Sequence, residues 1–182
     1  MSTRATPPKR ATATASRPRA GRRPSGRGRA RVVILLGSAS DRPLIEGVPP
    51  LLERLGIAHR IEVCSAHRQP QRLRRLVRAA EREKVELFIA VAGMAAHLPG
   101  VVAALTARPV IGVPAASGPL AGIDALLSIV QMPPGVPVAT MGIGAAGARN
   151  AAVLAARILA LSDPEVAGRL EAYRRELAAS GR

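Results

Sequence analysis

Five largely apolar runs constrain the fold of this chain more than any other feature. They lie at residues 32–36, 60–64, 87–92, 109–113 and 136–141, and the first reads Val-Val-Ile-Leu-Leu. A strand that is apolar at successive positions is buried on both faces, which is typical of a parallel sheet covered by helices. Helix-like stretches separate the runs. This alternation predicts a single-domain α/β fold, a three-layer sandwich with a mostly parallel, Rossmann- or flavodoxin-like sheet.

The stretches between the runs carry helix signals. Pro43 and Pro70 each follow polar residues, a position that the first turn of a helix favours. Pro164 follows Ser162-Asp163, a good helix cap. Helices are therefore expected after Pro43 and Pro70, over 147–161 and over 164–179. The regions 93–100 and 114–122, which are rich in Gly, Ala and Pro, are expected to be loops.

The positive charge is concentrated at one end. Of a net +15, residues 1–31 supply ten Lys or Arg and no acidic side chain, whereas 32–182 hold 17 basic and 12 acidic ones. This composition predicts a disordered basic tail over 1–30 ahead of a catalytic domain over 31–180 that includes the last helix. A transit peptide is the alternative for the tail. A basic tail binds phosphates non-specifically, but with only Phe88 and Tyr173 as aromatic residues we expect no specific nucleic-acid partner.

Several classes of protein are disfavoured by what the chain contains. Cys64 is the one cysteine, so an internal disulfide and a cysteine-rich metal site are excluded. We identify no His, Cys, Asp and Glu cluster with metal-ligand spacing, and no apolar run of the roughly 18 residues that a membrane span needs. We therefore expect a cytoplasmic protein that binds no metal and no membrane.

Polar side chains follow the first two runs, where a parallel sheet binds its ligands. The first run leads into Gly37-Ser38-Ala39-Ser40-Asp41, whose small residues would let backbone N–H groups approach a phosphate. Asp41 would accept hydrogen bonds from ribose hydroxyls. A helix cap explains the same residues, and both interpretations can hold.

The second run leads into Ser65-Ala66-His67-Arg68. Histidine is suited to general acid–base work near neutral pH, and arginine to holding a phosphate with two bonds. Together they favour an enzyme for a phosphorylated small molecule, whereas ordinary surface polarity is the alternative for an isolated His-Arg pair.

The remaining motifs are less specific. Between Ala92 and His97 every side chain except that of Met94 is tiny, which suits either a backbone laid against a flat ring or tight packing. His97 is expected to bind or to brace the loop. Asp124 is expected to cap a helix rather than to orient a catalytic group. Gly142, Gly144 and Gly147 fit GxGxxG spacing, but they lack the expected context and give only a weak dinucleotide signal.

Taken in order, these motifs resemble one enzyme family. Gly-Ser-Ala-Ser-Asp at 37–41, Ser-Ala-His-Arg at 65–68, Ala-Gly-Met-Ala-Ala-His-Leu-Pro-Gly at 92–100 and Ser-Ile-Val-Gln-Met-Pro at 128–133 are similar to those of class I PurE. Gly-Val-Pro-Val-Ala-Thr at 135–140 and Asn-Ala-Ala at 150–152 extend the similarity over about 31–178. Members of this family are 5-(carboxyamino)imidazole ribonucleotide mutases of purine biosynthesis.

The resemblance implies a reaction and a site. It implies that a carboxylate moves from the exocyclic nitrogen of the imidazole to a ring carbon by decarboxylation and recarboxylation, without ATP, metal or cofactor. It also implies a ribonucleotide substrate, a homo-octamer, and functional coupling to an ATP-dependent 5-(carboxyamino)imidazole ribonucleotide synthase. His67 would be the general acid/base. The implied substrate-binding residues are Ser38, Ser40, Asp41, Ser65, Ala66, Arg68, Gly93, Ala95, Ala96, His97 and Leu98.

Two departures from the family pattern affect the choice of substrate. Met94 stands where the family usually has a second glycine, and 115–122 reads Ala-Ala-Ser-Gly-Pro-Leu-Ala-Gly without the usual glutamine. The alternatives are a direct carboxylase that uses carbon dioxide and aminoimidazole ribonucleotide, and a PurE-like enzyme for a related substrate. A basic nucleic-acid binder and a catalytically silent assembly protein are the hypotheses from other classes.

Overall fold

The computed structural model describes residues 29–181, which form alternating strands and helices. The strands are β1 (Val32–Leu36), β2 (His59–Val63), β3 (Leu87–Gly93), β4 (Val110–Ala115) and β5 (Ala139–Thr140). The helices are α1 (Val48–Arg54), α2 (Pro70–Arg82), α3 (Leu98–Ala103), α4 (Ile123–Val130), α5 (Gly144–Ala160) and α6 (Pro164–Ala179), with a 3₁₀ helix over Ala39–Ile45.

The five strands form one parallel sheet in the order β2-β1-β3-β4-β5. β2 lies on one side of β1, and β3, β4 and β5 follow in sequence order on its other side. Ile34 of β1 is paired with Ile61 of β2 and with Ile89 of β3. The predicted single-domain α/β sandwich is confirmed, and the sheet is parallel throughout.

Helices bury both faces of the sheet, because successive side chains of a strand point to opposite sides. Val32, Ile34 and Leu36 belong to the core cluster that contains α1, α5 and α6. Val33 and Leu35 belong to the second cluster, with α2, α3 and α4. The all-apolar first run is therefore explained by burial on two sides.

Several element boundaries differ from the sequence expectations. Pro43 lies inside the 3₁₀ helix, and the next α-helix begins only at Val48. The expected strand over 136–141 is reduced to Ala139–Thr140, because Pro137 has no N–H to donate and β5 is the edge strand.

Smaller differences concern the regions predicted to be loops and the Ala-rich helix. The region 93–100 is a loop only over 94–97, since β3 continues to Gly93 and α3 begins at Leu98 with Pro99 in its first turn. In the region 114–122, β4 continues to Ala115. The Ala-rich helix begins at Gly144 rather than at 147.

The ends of the predicted domain can be compared only in part. The tail predicted over 1–30 lies outside the described residues except for Arg29 and Ala30. Arg31 is anchored: its guanidinium bonds Glu86 at 2.5 Å and Asp163 at 2.6 Å, which joins the start of the sheet to the cap of α6. Within 29–181, no helix is both long enough and apolar enough to cross a membrane.

Candidate active site

A cleft of about 490 Å³ opens where β1, β2 and β3 end. This volume lies within the usual range of small-molecule sites, about 300–1,000 Å³. Most residues that the sequence singles out meet here. The wall is formed by Gly37, Ser38, Ser40, Asp41, Ser65, Ala66, His67, Arg68, Ala92, Gly93, Met94, Ala95, His97, Leu98 and Ser117.

The turn after β1 is held by a reciprocal cap. Ser38 is the N-cap of the 3₁₀ helix: its hydroxyl accepts from the Ser40 backbone N–H at 3.3 Å and from the Ser40 hydroxyl at 2.8 Å. The Asp41 carboxylate accepts from the Ser38 backbone N–H at 3.0 Å. Both side chains also line the cleft, so the cap and the binding interpretations are compatible.

Asp41 is the one charged side chain that is buried among the described residues. Burial raises its pKa above the ordinary value of 3.8, and the hydrogen bond from the Ser38 backbone offsets this only in part. A buried carboxylate at the floor of a cleft is a strong acceptor for ligand hydroxyls, since little water competes for it.

The turn after β2 presents Arg68 and His67 to the cleft. The Arg68 backbone N–H donates to the Ser65 hydroxyl at 3.2 Å, which fixes the turn just before α2 begins at Pro70. The Arg68 side chain is exposed and makes no ion pair with any other described residue. Its guanidinium therefore lacks an internal anion and is available to a ligand.

Two imidazoles meet across the cleft. His67 Nε2 and His97 Nδ1 are 2.8 Å apart, and the two rings pack edge to face with centroids 4.9 Å apart. At this distance one nitrogen carries the hydrogen and the other accepts it. The pair can therefore hold one proton between these two atoms, and each ring keeps its second nitrogen for another partner.

The loop after β3 supplies the small part of the wall. Gly93 and Ala95 line the cleft with Met94, and Leu98 lies at the start of α3. Ala96, which the family resemblance placed at the substrate, does not line the cleft: it is fully buried in the second core cluster. Its methyl group packs in that core cluster and so holds the loop against the sheet.

The binding residues predicted from the sequence leave out four wall residues, Gly37, Ala92, Met94 and Ser117. Gly37, Ala92 and Met94 belong to motifs that the sequence analysis singled out, at the ends of the first and third apolar runs, so their position in the sequence was a usable signal. Ser117 follows β4, the neighbour of β3, and reaches the site from the loop that departs from the family pattern.

Two other features that the sequence singled out, Asp124 and the GxGxxG spacing, have structural explanations and lie outside the cleft. Asp124 is not the helix cap that was expected: Gly122, at a φ of 89°, is the N-cap of α4, and Asp124 lies in the first turn. Gly147 is needed for packing, because a Cβ there would collide with the Gly142 carbonyl. No group of three or more His, Cys, Asp or Glu placed to hold a metal occurs within 29–181.

Comparison with known proteins gives one consistent result. The family model described as AIR carboxylase matches residues 31–180. A protein of Pyrococcus abyssi named N5-carboxyaminoimidazole ribonucleotide mutase is 51% identical over 150 residues, which cover 82% of this chain and 85% of the relative. The Escherichia coli K12 protein of the same name is 50% identical over 146 residues, covering 80% and 86%. This chain belongs to the AIR carboxylase family.

Solved structures agree with the family assignment. The crystal structure of Treponema denticola PurE aligns with a TM-score of 0.75 at 32% identity, covering 82% of this chain and 92% of that one. The predicted resemblance to PurE is thereby confirmed, as is the prediction that the chain is an enzyme of the mutase type. The matched residues 31–180 contain the whole cleft.

Proposed function

We propose that this protein converts N5-carboxyaminoimidazole ribonucleotide into 5-amino-4-carboxyimidazole ribonucleotide, a step of purine biosynthesis. The pair of imidazoles 2.8 Å apart, in a cleft walled by Gly, Ala and Ser, carries the proposal. The names of relatives that are about 50% identical over most of the chain support the same substrate.

The chemistry needs one proton carrier and a dry pocket. The N–C bond of the carbamate breaks, its electron pair stays on nitrogen, and carbon dioxide is released. His67 gives a proton to that nitrogen. The ring carbon then attacks carbon dioxide, a C–C bond forms, and the proton of that carbon returns to His67. No electron is gained or lost and no ATP is consumed, so the reaction as written needs no cofactor.

Each part of the cleft has a matching role in this proposal. Ser38, Ser40 and Arg68 hold the phosphate by hydroxyl and guanidinium donors. Asp41 accepts from the ribose hydroxyls. Ser65 and Ala66 shape the turn that presents His67, and the loop through Gly93, Ala95 and His97 covers the imidazole, with Leu98 closing its end. His97 positions His67 through their shared hydrogen bond.

The runner-up is direct carboxylation of aminoimidazole ribonucleotide by carbon dioxide, and the wording of the family description favours it. An ATP-free conversion assay separates the two. We expect product from the N5-carboxylated substrate without added bicarbonate. Product only from aminoimidazole ribonucleotide with excess bicarbonate would favour the carboxylase. Turnover of neither substrate would overturn both and point to a related ligand.

Self-association into an octamer is a second part of the proposal. Helix α4 exposes Ile123, Leu127 and Val130, each about half exposed, and Leu120 lies just before them. Positions separated by four and three residues form one helical stripe, and single subunits rarely leave such a stripe uncovered. The Ala face of α5 is buried inside the subunit against the sheet and offers no comparable exposed stripe.

Sedimentation tests the assembly. We expect the wild type to sediment as an octamer at micromolar concentration, and Leu127→Glu to shift toward smaller species. Leu161→Glu is the control. Leu161 is an exposed leucine at the end of α5, and α5 packs on the opposite face of the sheet from α4. A monomeric wild type would contradict this part of the proposal.

The proposal also covers the location, the supplier of the substrate and the extent of the catalytic unit. It includes a cytoplasmic enzyme that receives its substrate from an ATP-dependent synthase, and the ready loss of carbon dioxide from a carbamate favours such a direct supply. The proposed catalytic unit is 31–180, without the basic segment that precedes it. Deletion of residues 1–28, which spares Arg31 and its ion pairs, is expected to leave kcat and KM unchanged. Loss of turnover on that deletion would show that the tail belongs to the catalytic unit.

A further inference from the structure

Met94 has a backbone conformation that suits glycine. Its φ is 55°, in the left-handed region that side chains with a Cβ disfavour. Among the described residues only Lys84 and Ala121 share this feature without being glycine, and neither lines the cleft. A strained backbone that persists beside a functional site suggests that the side chain there contributes something that glycine cannot.

The side chain of Met94 lies between two loops at the edge of the cleft. A Cβ built on Gly118 would lie 3.3 Å from Met94 Cγ, so the thioether chain packs over the backbone of the β4–α4 loop. At the preceding position, a Cβ on Gly93 would collide with the Ser117 hydroxyl. The two loops therefore meet at 93–94 and 117–118, and both contribute to the cleft wall.

Met94 is nevertheless 56% exposed, so more than half of this apolar side chain is left uncovered by its own subunit. The same short loop places Met94 and His97 in the wall. Met94 is therefore on the same loop as one of the two imidazoles, and methionine adapts readily to the shape of what it covers.

We infer that Met94 is a positioning residue that closes the wall of the cleft beside the imidazole pair and retains carbon dioxide between its release and its recapture. This inference rests on the proposed function. Carbon dioxide is small and apolar, so an apolar side chain that spans the gap between the loops slows its escape and excludes water. Glycine at this position would relax the backbone but leave the gap open.

The test follows one labelled carbon. Substrate with ¹³C in its carboxylate is converted in the presence of excess unlabelled bicarbonate, and the ¹³C fraction of the product is measured by mass spectrometry. We expect the wild type to keep the label. Met94→Gly and Met94→Ala are expected to give several-fold more unlabelled product, because carbon dioxide that leaves the cleft is replaced from the pool.

Two controls separate the effect of losing the Met94 side chain from the effect of relieving backbone strain. Lys84→Gly relieves a φ of 56° outside the cleft, and should raise the melting temperature as Met94→Gly does while keeping the label. Met94→Leu keeps an apolar side chain and should keep most of the label.

The experiment distinguishes failure of the inference about Met94 from failure of the proposed function. Label retention in Met94→Gly and Met94→Ala equal to that of the wild type overturns the inference while the proposed function stands. Equal label loss in Lys84→Gly also overturns it. A wild type that forms no product from the labelled substrate removes the proposed function and the inference together.

Discussion

Replacing Asp41 by asparagine separates the two roles that the structure gives this carboxylate. Asp41 is buried in the cleft floor and accepts the Ser38 backbone N–H at 3.0 Å. The Asp41→Asn variant keeps that bond without the charge, because the amide oxygen of asparagine can accept the same N–H. Asp41→Ala, in contrast, removes the acceptor and breaks the cap.

The magnitudes follow from these contacts. Loss of a cap with a partly buried donor left unpaired costs about 1–2 kcal/mol, which for a chain of this size lowers the melting temperature by roughly 2–8 °C. We expect this loss for Asp41→Ala. For Asp41→Asn we expect a melting temperature at pH 7 equal to or above that of the wild type, together with about tenfold lower kcat/KM, since a charge-assisted bond becomes a neutral one.

The pH dependence gives the sharper test. Burial raises the folded-state pKa of Asp41 above the ordinary 3.8, so proton binding favours the folded state. This contribution to stability is full below the unfolded-state pKa and is lost as the pH rises through the folded-state pKa. Asparagine does not titrate and makes no such contribution. The melting temperature of Asp41→Asn minus that of the wild type should therefore increase as the pH rises from about 4 to 7.

Thermal unfolding followed by circular dichroism at several pH values measures this difference directly. A variant Asp41→Asn that is as unstable as Asp41→Ala, with a difference from the wild type that does not change with pH, would refute the claim that burial dominates the energetics of this carboxylate.

Three further predictions concern packing, charge and the imidazole pair. Gly112→Ala should destabilise the fold by about 1–3 kcal/mol, because a Cβ there would lie 2.5 Å from Ile129 Cγ2. Gly168 lies in open space on α6, so Gly168→Ala should stabilise the fold by roughly 0.5–1 kcal/mol. Urea titration of both variants checks the two signs. Arg31→Met should cost about 1–3 kcal/mol in the same titration, since it leaves the Glu86 carboxylate and one oxygen of Asp163 without their cationic partner, and an unchanged midpoint would contradict this. His97→Ala should lower kcat and alter the pH–rate profile with little change in KM, because it removes the hydrogen bond that orients His67; a change in KM alone would assign His97 to substrate binding.

The strands and most of the cleft could be predicted from the sequence because they depend on short-range patterns. A run of apolar residues such as 32–36 is buried on both faces in any parallel sheet, and the residues that follow β1, β2 and β3 must come to the same edge. This rule alone is enough to bring Ser38, Asp41 and His67 together.

The parts that could not be predicted depend on tertiary contacts. The 2.8 Å contact between His67 and His97 joins residues 30 positions apart, and nothing local sets that distance. Ala96 resembles its neighbours in sequence but points into the core, since the loop reverses direction between Ala95 and His97, where the His97 N–H donates to the Ala95 carbonyl at 2.8 Å. Ser117 enters the site only because the β4–α4 loop packs against Gly93.

The central claim is that His67 moves the proton during carboxylate migration, and single-turnover conversion of N5-carboxyaminoimidazole ribonucleotide by the wild type and His67→Asn tests it most directly. His67 is exposed at the cleft wall and belongs to neither core cluster, and asparagine is a smaller polar side chain, so the fold and the melting temperature should be kept even though the contact through Nε2 is lost. The account predicts that the variant binds the substrate but forms product at least 100-fold more slowly, the lower end of the usual contribution of a general acid/base, about 10²–10⁴-fold. Product formation by a folded His67→Asn variant at the wild-type rate would contradict it.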